Sequence, residues 1–122
     1  MIANRAMAAA MTEADLLDSV LDLCKLYGLR TAHFRPARTE HGWRTPVAGD
    51  GKGWPDVVIV GTRLLVRELK DATGKLTREQ ILWLDALRMA GVDAGVWTPQ
   101  LWHDGTIRNE LEQVRVRNER SE

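Results

Sequence analysis

Two carboxylates and an amine stand at the ends of short apolar runs. Asp56 opens the first run, and Glu68 and Lys70 close the second, within GWPDVVIVGTRLLVRELK, Gly53 to Lys70. Val57–Val60 and Leu64–Leu69 are β-rich and flank Gly61-Thr62-Arg63, the pattern of a hairpin. Residues two apart in a strand point the same way, so Glu68 and Lys70 share a face and Leu69 takes the other. In an antiparallel hairpin the start of one strand lies beside the end of the next, which brings Asp56 toward Glu68 and Lys70. Two carboxylates held close repel, and one tends to protonate unless a cation intervenes. Mg²⁺ binds through one or two carboxylates together with water and substrate phosphate. A neighbouring lysine polarises an attacking water or steadies charge growing on a phosphate oxygen. The chemistry that suits such a group is metal-assisted hydrolysis of a phosphodiester. The plainer alternative is that Asp56 caps a turn and Glu68–Lys70 is a solvated pair at a strand edge.

The rest of the chain must position these residues. Thr12 can cap a helix whose first turn holds Glu13 and Asp15, with Asp15 the nearer cap partner. Leu16, Leu17, Val20, Leu21, Cys24 and Tyr27 follow at helical spacing, and Gly28 stops the run. Leu29 to Phe34 reads as a strand. Arg35 to Trp54 reads as a long irregular segment, of the kind that carries function in a small domain. After the hairpin, Thr77 and Gln80 make a T-x-x-Q capping box. Ile81, Leu84, Leu87 and Met89 supply the apolar face of the helix it opens, and Gly91 ends that helix. Ala94 to Trp97 is a last strand stopped by Pro99, and Thr106 to Gln113 a short final helix. The order α-β-β-β-α-β predicts an α/β fold, a small mixed sheet flanked by helices.

At 122 residues the chain makes one domain, spanning 12–113, with a loose leader over 1–11 and a frayed tail over 114–122. It is 44% apolar and 28% charged with zero formal net charge, so bulk charge does not announce a nucleic-acid partner. No run is long enough to span a bilayer, and the start lacks a secretory apolar core. The single cysteine, Cys24, fits a reducing cytosol and reads as inert packing. Local charge is more informative. The segment HFRPARTEHGWRTPVAGDGKGW sets Arg35, Arg38, Arg44 and Lys52 against Glu40 and Asp50, among His33, His41, Trp43 and Trp54. Such residues neutralise phosphates and stack on unpaired bases, and the segment runs straight into Asp56. A solvated loop whose tryptophans fold back on the core is the competing reading. Trp83, Leu84 and Leu87 read as core or as an intersubunit face, Trp97 and Trp102 as structural, and Arg115, Arg117 and Arg120 as tail.

Asp56 followed by Glu68-Leu69-Lys70 resembles the PD-(D/E)XK nuclease signature. With GKGWPD, RELKDATGKLTREQILWLDALRMAGV and VWTPQLW around it, the chain resembles the VRR-NUC branch of small stand-alone phage and bacterial nucleases over roughly Thr12 to Trp102. The resemblance implies a restriction-endonuclease-like fold and a structure-specific DNA endonuclease using Mg²⁺, with Mn²⁺ substituting. It implies that Asp56 and Glu68 hold the metal with the Leu69 carbonyl, and that Lys70 handles the water or the scissile phosphate. It places Glu13 as the helix-borne acid, although a first-turn acid also suits the helix dipole, and Gln80 as a site residue as well as a cap. A Holliday-junction resolvase acting as a homodimer on branched DNA in the cytoplasm of a bacterium or phage-infected host is the resulting expectation. No membrane and no small-molecule cofactor are expected. A flap, nick or single-strand endonuclease and a non-catalytic DNA-binding module are the alternatives.

Overall fold

A computed structural model describes residues 2–34, 37–39, 42–44 and 48–117, with side chains for all of these except 2–5, 37–39 and 42–44. In chain order the elements are α1 (Ile2–Ala10), α2 (Glu13–Leu26), β1 (Arg30–His33), β2 (Ala37–Thr39), β3 (Gly42–Arg44), β4 (Val57–Val60), β5 (Leu64–Leu69), α3 (Arg78–Met89), β6 (Asp93–Trp97), α4 (Pro99–His103) and α5 (Thr106–Val114). A four-stranded sheet runs β1-β4-β5-β6. The first two pairings are antiparallel and β5–β6 is parallel, as the crossover through α3 requires. The α/β architecture, a mixed sheet flanked by helices, is the one expected.

Alternation along the strands decides which helix covers which face. Val57, Ile59, Leu65 and Leu69 point to one side, where Leu16, Val20 and Cys24 of α2 and Ile107, Leu111 and Val114 of α5 close the main core. Val66 and Ala94 point to the other side, against Leu84 of α3. Burial pushes the Cys24 thiol up to about 11, which suits inert packing. Both long helices begin as their sequences dictate. Thr12 and Asp15 form a reciprocal capping box on α2, and Thr77 and Gln80 form one on α3. No helix among the described residues is long and apolar enough to cross a membrane.

The turn of the β4–β5 hairpin is sealed by the C-terminal end of α5. Thr62 N–H donates to the Val114 carbonyl at 2.8 Å, and a Cβ at Gly61 would stand 2.0 Å from that oxygen. Gly61→Ala is therefore expected to destabilise the fold by roughly 2 kcal/mol or more, because backbone on both sides must move. Urea denaturation measures it, and an unchanged midpoint would contradict the closure.

Five expectations need correction or extension. The leader over 1–11 contains α1, which lies against α4 and buries Ala8. The segment from 35 to 54 is not wholly irregular, because β2 and β3 pair antiparallel within it. Pro99 stops β6 but also starts α4, its missing N–H being harmless in a first helical turn. On α3 only Leu84 is buried; Ile81 is exposed and Met89 is 90% exposed, so the apolar face is narrower than its spacing suggested. At the tail, Arg115 stacks over the Tyr27 ring at 4.4 Å, and Arg115 and Arg117 pair with Glu112. Arg120 lies outside the described residues.

Candidate active site

Asp56 precedes β4 and is fixed at both ends. Its carbonyl accepts from Phe34 N–H at 2.8 Å, which extends the β1–β4 ladder by one pair. Its carboxylate Oδ2 accepts from Leu69 N–H at 2.8 Å. The β4–β5 register pairs Val57 with Arg67, so Asp56 falls opposite Glu68 one step further along. The sequence argument from hairpin geometry therefore holds. The Leu69 backbone is at the site too, through its N–H on Asp56.

Glu68 is 2% exposed, although it is a carboxylic acid. Its Oε2 accepts from Gln80 Nε2 at 2.9 Å and stands 3.6 Å from Lys70 Nζ. Its Oε1 is buried with no N–H or hydroxyl donor from another residue on it. Burial first, then the charge and hydrogen bonding of Asp56, push the Glu68 carboxyl up to about 8, against the opposing pull of Lys70. Lys70 shares its face, as period two requires, with its side chain 13% exposed. Its backbone N–H donates to the Trp97 carbonyl at 3.0 Å, so β6 braces the end of β5.

Glu13 enters this neighbourhood from the first turn of α2. It sits on an exposed part of the helix, yet its carboxyl is raised from its ordinary value. Desolvation contributes most; Asp56 and Asp71 add to it, while Lys70 and the Asp71 backbone oppose it. Asp15, the rival acid, is spent on the cap, where the Thr12 backbone and side chain hold its carboxyl below the usual range. Asp15 is thus the cap acid by geometry, and Glu13 stands where the charges of Lys70, Asp56 and Asp71 reach it.

The donor set fits a hard divalent cation. A buried carboxylate oxygen without a donor, a second carboxylate opposite it and a carboxyl raised by burial and then by its neighbour's charge are conditions that a positive ion relieves. Among the described residues no three His, Cys, Asp or Glu side chains gather as a ready metal cage. A cation here would draw on Asp56 and Glu68, with backbone carbonyl, water and substrate oxygen completing its shell, as Mg²⁺ commonly does.

The aromatic part of the loop behaves differently from the stacking expectation. Trp54 lies edge-on to Trp83 at 4.8 Å and to Phe34 at 6.0 Å between ring centroids. Trp83 donates its indole N–H to the Asp50 carbonyl at 2.9 Å. Trp54 therefore packs the loop onto α3, as in the competing reading. Gly53 makes this approach possible: its φ is +85°, and a Cβ there would stand 2.6 Å from Glu79 backbone. His33 is exposed at the end of β1. Lys52 is exposed beside a groove of about 580 Å³ that Asp50, Glu79 and Trp83 help to line. Of the remaining DNA-contact candidates, Arg35 and the neighbouring His41 lie outside the described residues, as do the side chains of Arg38, Trp43 and Arg44.

Sequence reasoning missed Arg67. It is buried on the Leu65–Leu69 face, donating to the Asp93 carbonyl at 2.6 Å and pairing with Asp93 and Glu110 at 2.9 Å each. Trp97 donates its indole N–H to the same Glu110 oxygen, and Arg67 stacks on the Trp97 ring. An arginine inside an apolar strand run was the available signal. Its role is to tie β5, β6 and α5 together behind the site.

Comparison of the chain with protein-family models, with curated proteins and with solved structures finds no match in any of the three.

Proposed function

We propose that this protein is a metal-dependent endodeoxyribonuclease of the restriction-endonuclease-like type, in the VRR-NUC branch, and that it cuts branched DNA, with the four-way junction as the preferred substrate. The observation that carries this reading is the pair Asp56 and Glu68, opposed across a hairpin, with a buried unpartnered Glu68 oxygen and the Lys70 amine beside them. A bound Mg²⁺ or Mn²⁺ would supply Lewis acidity toward the phosphate and a more acidic water. Asp56 and Glu68 would hold it, and Glu13 would face the same space. The Lys70 ammonium would sit where charge grows on the phosphate oxygens. Water adds to phosphorus, the bond to the 3′ oxygen breaks, and that oxygen gains a proton, leaving a 5′-phosphate and a 3′-hydroxyl. Lys52 and the basic stretch before it would meet the DNA backbone. Two nicks in a nearly two-fold-symmetric junction call for two related sites, so a homodimer in the cytosol is part of the proposal.

The experiment is cleavage of a labelled four-way junction beside matched linear duplex and flap, with Mg²⁺, Mn²⁺ or EDTA. Paired symmetric nicks, abolished by EDTA, are expected. Lys70→Ala, which spares both carboxylates, is expected to slow cutting by about 10²–10³-fold. Equal cutting of all substrates would make this a general nuclease, and preferred cutting of the flap would make it a flap endonuclease. Tight DNA binding with no cleavage in either metal would leave a binding module and refute the enzyme.

A further inference from the structure

The first turn of α3 does two jobs with one side chain. Gln80 is the third residue after the Thr77 cap, and its Oε1 accepts from Thr77 N–H at 2.9 Å. Its backbone N–H donates to Thr77 Oγ1 at 3.2 Å. Its remaining end, the Nε2 amide, donates to Glu68 Oε2. The two ends of a carboxamide are not interchangeable here. Turning it over would set an NH₂ group against the Thr77 N–H, a like-with-like contact in place of a hydrogen bond, and would take the amide donor away from Glu68 Oε2.

The other long helix supplies an internal comparison. Its capping box has the same layout, Thr12 with Asp15, but Asp15 is exposed and does nothing beyond the cap. Glutamate and glutamine serve equally at this position of a capping box. Only glutamine can cap and still donate to a buried carboxylate. The identity of residue 80 is therefore set by Glu68, not by the helix.

We propose that Gln80 is a positioning residue for Glu68, and that the Thr77 backbone N–H, by holding the Gln80 oxygen, aims the amide at Glu68 Oε2 and leaves Oε1 for the cation. This rests on the reading of Glu68 as a cation ligand. Gln80 itself touches neither substrate nor cation. Partners of this kind commonly change metal affinity tenfold to a hundredfold when removed.

Two substitutions separate capping from positioning. Thr77→Ala removes the hydroxyl cap but keeps the backbone N–H and the Gln80 amide. Gln80→Ala removes a cap bond and the contact to Glu68 together. Both are expected to lower the melting temperature to a similar degree. Mn²⁺ affinity, titrated on the intact chain by the loss of free-Mn²⁺ electron resonance, is expected to fall about tenfold in Gln80→Ala and to stay within about threefold of wild type in Thr77→Ala. Equal Mn²⁺ affinity in the two variants would overturn the proposal. A second readout needs no metal: the Gln80 side-chain amide resonance is expected to move in Glu68→Gln and to hold in Thr77→Ala. A resonance indifferent to Glu68→Gln would overturn the proposal on its own. Wild-type protein that binds no Mn²⁺ would overturn the cation site instead, and the resonance would then decide the role of Gln80.

Discussion

Asp56→Asn is expected to make the metal-free protein more stable while it destroys cleavage. The aspartate carboxylate accepts the Leu69 N–H, which an asparagine oxygen can also do, so the local backbone has no reason to move. What disappears is the charge that, after burial itself, does most to raise the Glu68 carboxyl. An amide donor arrives in its place, beside a carboxylate that has an unpartnered buried oxygen. The expected gain is on the order of 1–2 kcal/mol in urea denaturation without metal. The expected loss in cleavage of a four-way junction is at least about 10²–10³-fold, because one of two cation-holding carboxylates has gone. Added Mn²⁺ should raise the melting temperature of wild type and leave that of the variant almost unchanged. If Asp56→Asn instead lowers metal-free stability, the two carboxylates do not oppose each other as the structure indicates.

The pH dependence of metal-free stability is the second large effect. Glu68 binds its proton more tightly in the folded protein, with a carboxyl near 8 against an ordinary value of 4.5. Between those two values the unfolded chain has released the proton and the folded chain has kept it. Stability from this group is therefore complete below about pH 4.5, falls as pH rises, and levels off above about pH 8. The loss across that window is on the order of a few kcal/mol. Glu68→Gln should abolish this component, so the difference between the two proteins over pH 5–9 isolates it from every other titrating group. Divalent cation should oppose the loss, and most strongly at the alkaline end, where the carboxylate is free to bind it. A difference that stays flat with pH would mean that Glu68 is ionised at ordinary acidity in the fold.

The hairpin was legible because its information is local. Two β-rich runs, a three-residue turn and strict period two are enough to set Asp56 opposite Glu68 and to put Lys70 on the Glu68 face. The helix starts at Thr12 and Thr77 were legible for the same reason, since a capping box is written within four residues. Three things were not. The burial of Arg67 depends on Asp93 and Glu110 arriving from distant elements, which no short window of sequence contains. The packing of Trp54 on Trp83 depends on Gly53 letting the loop touch α3, and a glycine in a loop carries no sign of what it will touch. The exposure of Met89 and Ile81 could not be read from spacing, because α3 covers its face of the sheet through Leu84 and only partly through Leu87. For the site itself, the residue types were visible, but the orphaned Glu68 oxygen and the double engagement of Gln80 are properties of the assembled fold.

The bond from Thr62 to Val114 has a consequence for the order in which the molecule is made. The hairpin that brings the carboxylates together is a local structure, able to form in microseconds once residue 70 has left the ribosome. The helix that seals its turn belongs to the far end of the chain and emerges only afterwards. During synthesis the residues that pair the two acids thus emerge before the carbonyl that latches their turn, and a hairpin on its own is marginally stable until other elements pack on it. A ribosome-bound chain stopped short of Val114 would carry every proposed catalytic side chain yet lack the carbonyl that closes the turn.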